Sequence, residues 1–153
     1  MTEEARLLAV HPLLAGLGPR HLASMAACAS ATSVPAGRRV FDEGAPADAF
    51  WLIHEGRVNL VTHVPGRGDV VVETIGCGQV LGWSWLLPPY RWQFGAVAVE
   101  LMAAVRLDGA LVRLRCDADP ALGYELTMRF IPVLVERMQG TRVRLLDLYD
   151  GAS

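Results

Sequence analysis

The sequence has no lysine at all. Its 14 basic residues are arginines, set against 16 acidic ones for a formal net charge of −2. That balance gives no electrostatic handle for nucleic acid or for an anionic membrane surface. Cysteine is scarce as well. Cys28, Cys77 and Cys116 are odd in number and far apart, without the paired spacing of a zinc site or the density of a disulfide framework. Buried or incidental thiols are therefore expected. No stretch reaches the ~18 apolar residues of a membrane span. The acidic opening MTEEARLL lacks the apolar core of a signal peptide, so a cytoplasmic location is expected. A Ser/His/Asp set, a metal motif and a paired-carboxylate arrangement are missing too, and Asp42-Glu43 with Asp48 makes only an acidic turn. These absences argue against an enzyme.

What is present describes a compact domain. The 153 residues are 52% hydrophobic and 20% charged, enough to bury a core and to leave an apolar partner surface. Residues 3–30 read as helix in pieces, with Leu7, Leu8, Val10, Leu13, Leu14 and Leu17 broken by Pro12, Gly16 and Gly18. A second helix is expected from Pro19 through residue 28, with proline in its first turn. The pattern then changes to short strands separated by glycines, expected at residues 32–34, 39–41, 50–54, 57–63, 69–75, 80–81 and 94–107. Such spacing suits a small barrel or jelly-roll. The turn at residues 64–69, VPGRGD, is a hairpin connection, and no helix follows it to make a phosphate loop. Asp108 is expected to cap a short helix over residues 109–115. Asp119-Pro120 opens a long one over residues 121–149, weakened at Pro132 and Gly140. The chain thus divides into N-terminal helices at 1–31, a β-roll at 32–107 and C-terminal helices at 108–149, a mainly β domain with flanking helices.

The most specific stretch is residues 35–60, PAGRRVFDEGAPADAFWLIHEGRVNL. It sets Pro35, Gly37, Val40, Phe41, Gly44, the Trp51-Leu52-Ile53 run, Gly56 and Val58 in a fixed frame. That frame resembles the first half of the β-roll of cyclic-nucleotide-binding domains, the sensory fold of the catabolite activator protein family. HPLLAGLGPRHLASMA is similar to the family's N-terminal helical segment. Over nearly the whole chain, the resemblance implies a double-stranded β-helix (jelly-roll) β-roll plus a long C-terminal helix. It also implies a regulatory sensor working in signal transduction.

The ligand segment keeps the family's frame and loses its contacts. In the family, a short helix start and an arginine hold the cyclic phosphate, and a glutamate holds the ribose hydroxyl. Laid on this chain, the frame runs from Gly78-Gln79-Val80-Leu81-Gly82 to Phe94-Gly95-Ala96. Trp83 stands at the glutamate position, Phe94 at the arginine position and Gly95 at the Ser/Thr position. Neither Trp83 nor Phe94 can make those contacts, so cAMP and cGMP are not the expected ligands. Between them lie Ser84, Trp85, Leu86, Leu87, Pro88, Pro89, Tyr90, Arg91, Trp92 and Gln93. One reading is an aromatic plug, in which these side chains fill the pocket and Arg91 faces solvent. The other is a rebuilt pocket over Gly82, Trp83, Ser84, Arg91, Phe94, Gly95 and Ala96. Arg91 would be its anion anchor, Ser84 a hydroxyl donor and the rings a stacking floor for an anionic or aromatic small molecule.

The long helix carries a second signal. Ile131, Val135, Met138, Leu145 and Tyr149 recur at helical spacing, interrupted by Arg142. An ordinary helix packed on its own domain would give a similar stripe. The resemblance makes it a dimer helix, with Val135, Met138 and Leu145 at the seam. The family's transcription factors continue beyond this helix into a helix-turn-helix, so direct DNA binding is not expected of this sequence. No cofactor is indicated: Cys77 alone is thin support for haem, and His54 with His63 lacks a third metal ligand. A small-molecule sensor and a ligand-free module that docks a partner protein through the aromatic segment or the long helix both remain open.

Overall fold

The computed structural model describes residues 2–151, with side chains through residue 140. Leu145, Tyr149 and Arg142 thus fall outside the described side chains. Thr2 caps the first helix, α1 (Glu3–Val10), by accepting from the Ala5 N–H. A 3₁₀ turn at Pro12–Leu14 follows, and α2 (Pro19–Ala26) starts on proline as expected but stops before Cys28. Eight strands come next: β1 (Ala29–Val34), β2 (Arg39–Phe41), β3 (Ala49–Glu55), β4 (Val58–Val64), β5 (Gly68–Ile75), β6 (Val80–Leu81), β7 (Gly95–Ala98) and β8 (Met102–Asp108). The run expected as one strand over residues 94–107 is two, parted at Val99-Glu100-Leu101. There the Val99 and Glu100 N–H groups turn to the Arg57 carbonyl.

The strands form two antiparallel four-stranded sheets, ordered β1-β8-β3-β6 and β2-β7-β4-β5. They face each other as a roll. Inside the first sheet β3 is buried on both faces, which explains its unbroken apolar run. Phe50 and Leu52 of β3 and Val105 and Leu107 of β8 point to the helices, where they meet Leu8, Met25, Val112, Leu122, Leu126 and Phe130. The alternate residues Trp51, Ile53, Met102 and Ala104 point into the roll and meet Val58, Leu60, Ile75 and Ala96. Gly56 closes the β3–β4 hairpin at φ 87°, and a Cβ there would collide with the Leu101 carbonyl.

Asp108 caps α3 (Gly109–Ala118) by accepting from the Leu111 N–H. The long α4 (Pro120–Gly151) passes through Pro132 without ending. Proline has no N–H, so the Met128 carbonyl loses its intrahelical donor there. Two faces of α4 are apolar. Leu122, Leu126 and Phe130 are buried against the domain, while Tyr124, Met128, Ile131, Val135 and Met138 are exposed. No helix among the described residues is long and apolar enough to cross a membrane.

Candidate functional site

Strand β6 delivers the ligand segment. Leu81 pairs with Trp51, and the chain then leaves the sheet at Gly82 with φ 95°. Only glycine fits there: a Cβ would lie 2.8 Å from Cη2 of Trp92. The segment sends its three tryptophans to three places. Trp85 goes to the helix side, fully buried, stacked on Phe50 at 4.4 Å and edge-on to Phe130 at 5.3 Å. Trp92 goes into the roll, stacked on Phe41 at 3.8 Å with Trp51 beyond it. Trp83 stays half-buried and lines open space.

The route of residues 90–92 decides where Arg91 points. The Ala47 N–H donates to the Tyr90 carbonyl, the Trp92 N–H to the Ala45 carbonyl and the Gly44 N–H to the Trp92 carbonyl. Held this way, Arg91 bridges Pro46 in antiparallel register, and the side chains of Arg91 and Trp92 alternate. Trp92 turns inward, so Arg91 turns outward; its guanidinium is exposed and donates to the Gly44 carbonyl at 3.0 Å. The structure does not bring Arg91 to the other residues of the expected pocket. Tyr90 lies under the Arg113 guanidinium at 4.0 Å, and Arg113 also donates to the Trp85 carbonyl, fixing the outer loop to α3.

The remaining residues of the frame do come together. Gly82, Trp83, Ser84 and Phe94, with Trp92 and Phe41, surround a residual space of only about 20 Å³. Ser84 is buried there. Gly95 and Ala96 lie behind it in β7, where Ala96 pairs with Leu60 and Val61 with Gly95. A Cβ on Gly95 would meet Nη1 of Arg39 at 2.8 Å and Cγ2 of Val61 at 3.2 Å, so a hydroxyl residue here requires the Arg39 side chain to shift. The guanidinium of Arg39 thus lies beside Gly95 while bound to Asp69 and Asp42.

Space opens instead between the second sheet and α4. A cleft of about 620 Å³ is walled by Leu60, Val72, Trp83, Leu87, Phe94, Leu134 and Met138, with Gln93, Glu73 and Arg137 as its polar groups. Arg137 is the residue that sequence reasoning missed. It projects from α4 with 11% of its side chain exposed, donates to the Val80 carbonyl and lies 3.8 Å from the Glu73 carboxylate. Burial pulls its guanidinium below the usual arginine value, with Glu73 and Glu136 opposing the shift. It also borders the 20 Å³ space and a second groove of about 510 Å³, which runs along α4 past Gln79, Pro132 and Glu136. Its only signal in the sequence is a charge set between Leu134 and Met138.

The histidines lie in separate places. His63 sits beside Asp69 at 3.7 Å, whereas His54 meets His11 edge-on at 5.4 Å. His11 is buried. Its Nδ1 accepts from the Leu13 N–H, so Nε2 carries the proton toward the Gln79 carbonyl at 3.2 Å. Burial first, then the neighbouring His54, lowers its pKa to about 4. Burial raises the thiols of Cys28 and Cys116, and Cys77 points its thiol at the His54 carbonyl. Among the described residues no cluster of His, Cys, Asp and Glu is placed to hold a metal ion.

Known proteins share this architecture. The Cyclic nucleotide-binding domain family matches residues 31–116. The CRP-like cAMP-activated global transcriptional regulator of Mycobacterium tuberculosis is 24% identical over 93% of this chain, which spans 62% of that protein's length. A candidate cyclic nucleotide-binding protein from Geobacter metallireducens superposes with a TM-score of 0.79 at 28% identity, over 90% of this chain and 99% of that one. The catabolite activator protein of Thermus thermophilus gives 0.67 at 23% identity, over 90% and 63%. The family match spans more than half of the sequence, and the roll with its trailing helix recurs in the solved relatives: the chain belongs to the cyclic nucleotide-binding domain family.

Proposed function

We propose that this domain is a regulatory sensor whose ligand is an anionic or aromatic small molecule other than cAMP, held between the roll and α4. The single observation that carries this reading is the displacement of open space. About 20 Å³ remains at the family's phosphate frame, against about 620 Å³ beside α4. The larger volume lies within the roughly 300–1,000 Å³ of small-molecule pockets, and its largely apolar wall with a few polar groups suits one. Phe94 and Trp83 supply stacking surface where a cyclic phosphate would need a cation and a ribose would need an acceptor. A role in binding rather than catalysis follows from the same wall, which offers no nucleophile with its base.

The test is a thermal-shift screen over aromatic acids, cyclic mono- and dinucleotides and small phosphates. A true ligand at a hundred times its Kd adds about 2.7 kcal/mol to stability. A hit lost in Trp83→Ala supports the cleft; stabilisation by cyclic mononucleotides alone contradicts it.

The exposed face of α4 favours a homodimer as the working form. Tyr124, Met128, Ile131, Val135 and Met138 follow a 4-3-4-3 spacing and are 41–66% exposed, while a different face packs on the domain. A seam of that period suits a second copy of the same helix, with Val135 and Met138 central and Leu145 resuming the period beyond Arg142. Replacing Val135 and Met138 by Glu is expected to give a monomer in light scattering. An unchanged dimer mass would place the contact elsewhere. A ligand-free module docking a partner protein is the weaker alternative, since Trp83 and Phe94 border open space instead of closing it.

A further inference from the structure

We infer that His11 is a proton-operated latch: uncharged, it ties the 3₁₀ turn at Pro12–Leu14 to the turn before β6, and protonated, it releases that tie while the core stays folded.

The ring is used at both nitrogens. His11 is the N-cap of the 3₁₀ turn, and its Nδ1 accepts from the Leu13 N–H at 3.1 Å. Its Nε2 meets the Gln79 carbonyl at 3.2 Å, and that carbonyl also accepts from the Ile53 N–H. One neutral tautomer serves both contacts. A second proton has to go on Nδ1, where it would face the Leu13 N–H donor to donor, so the charged ring cannot keep the cap.

The surroundings give the cation nothing in exchange. His11 is 1% exposed, so a charge there would lie away from water. His54 of β3 meets it edge-on at 5.4 Å, and among the described residues Nε2 of His54 is itself buried without a hydrogen-bond partner. The other titratable groups around the pair are Glu55 on β3, Cys77 before β6, Arg129 of α4 at the Ala15 carbonyl, and Glu3 of α1, which shares a groove of about 230 Å³ with His54. Burial and His54 act against the charge on His11, and the Gln79 and Ile53 carbonyls favour it without outweighing them. With the ring swung out to water these influences are gone, so acid favours the open form.

The opening is local. The turn is three residues long, with Pro12 exposed and Leu13 half-buried, while Leu14 and Leu17 stay in the helix-side core. Arg129 holds the far end through the Ala15 carbonyl at 3.0 Å. Rotating the His11 side chain frees the Leu13 N–H and leaves the Gln79 carbonyl bonded to Ile53. Pro12 packs over Gly78, and Pro12 and Leu13 form one wall of the groove of about 510 Å³ beside α4. The latch therefore controls how firmly that wall is held.

The experiment is amide hydrogen exchange of Leu13 in the whole protein by NMR, each rate divided by that of an unstructured peptide at the same pH. A ring that titrates at about 4 when latched and 6.5 when free populates the open form about twentyfold more at pH 5 than at pH 7. The protection of Leu13 is expected to fall by that factor and to stay well below that of Leu52 and Val105 in the core strands at both pH values. His11→Asn keeps a side-chain acceptor for the Leu13 N–H but does not titrate, so its Leu13 protection is expected to be the same at both. Constant protection of Leu13 in the wild type would overturn the latch. Protection equal to that of Leu52 and Val105 at each pH would make the opening global and overturn it as well. The same fall in His11→Asn would assign the proton to another group. If His11→Asn does not fold, the wild-type comparison of Leu13 with Leu52 and Val105 still decides.

Discussion

The inside of the roll and the cleft beside α4 are built from the same short segment, and they have opposite fates. Inside the roll, Trp92 stacks on Phe41 and closes the space where the family's frame would hold a phosphate, leaving about 20 Å³. Outside, Trp83, Leu87 and Phe94 wall about 620 Å³ without filling it. The difference comes from backbone direction, not composition. Arg91 bridges Pro46 in antiparallel register, and alternation sends Trp92 inward and its arginine neighbour outward. On the proposed function the pocket has moved while the fold around it is kept: the glycine frame fixes the roll, and the parity of a few residues decides which side is full.

The largest effect should come from emptying the full side. Trp92→Ala is expected to cost about 3–5 kcal/mol in chemical denaturation, the cost of truncating a large buried aromatic. A loss below about 1 kcal/mol would mean that Trp92 does not hold the roll closed. Next is acidification, which acts at the edge of the α4 groove through His11. Its pKa is about 4 in the folded protein and 6.5 as a reference, so between those values the unfolded chain takes up the proton more readily. Stability is expected to fall by about 3 kcal/mol as pH drops from 6.5 to 4, and the slope should flatten in His11→Leu. Equal slopes in both proteins would assign the acid sensitivity to other groups.

The glycine frame was legible in the sequence because its cause is local. Gly37, Gly44, Gly56, Gly78 and Gly82 all adopt positive φ, as their place between short strands implied. The strands were legible for the same reason, apart from the break between β7 and β8, which depends on the distant Arg57 carbonyl. The fate of the tryptophans was not legible, since it rests on pairing between residues 44–47 and 90–92. Which of the two readings of Arg91 holds depends on the same pairing, which turns its side chain outward. Arg137 was hidden in another way: α4 has two apolar faces, and periodicity alone does not tell which one meets the roll. The partner of His54 escaped too, because the 3₁₀ turn at Pro12–Leu14 brings His11 across to Gln79.

Two smaller changes sharpen the contrast. Gly82→Ala sets a Cβ against Trp92 in a left-handed backbone and is expected to cost about 1–3 kcal/mol. Pairing it with Trp92→Phe should give a combined loss smaller than the sum, and strict additivity would show that the two positions do not touch. On the open side, Leu87→Ala is expected to change stability by no more than about 0.5 kcal/mol, because Leu87 is 48% exposed. It should nevertheless weaken any ligand found for the cleft. A large loss of stability would show that the cleft wall is part of the core.

Calorimetric titration with cAMP tests the central claim most directly. A cyclic phosphate at the frame would meet Phe94 where it needs a cation and Trp83 where it needs a ribose acceptor, in a space that Trp92 has closed. Losing two charge-assisted contacts at about 1.5–3 kcal/mol each weakens binding by roughly two to four orders of magnitude. The account predicts no saturable heat below millimolar cAMP. Saturable micromolar binding would contradict it.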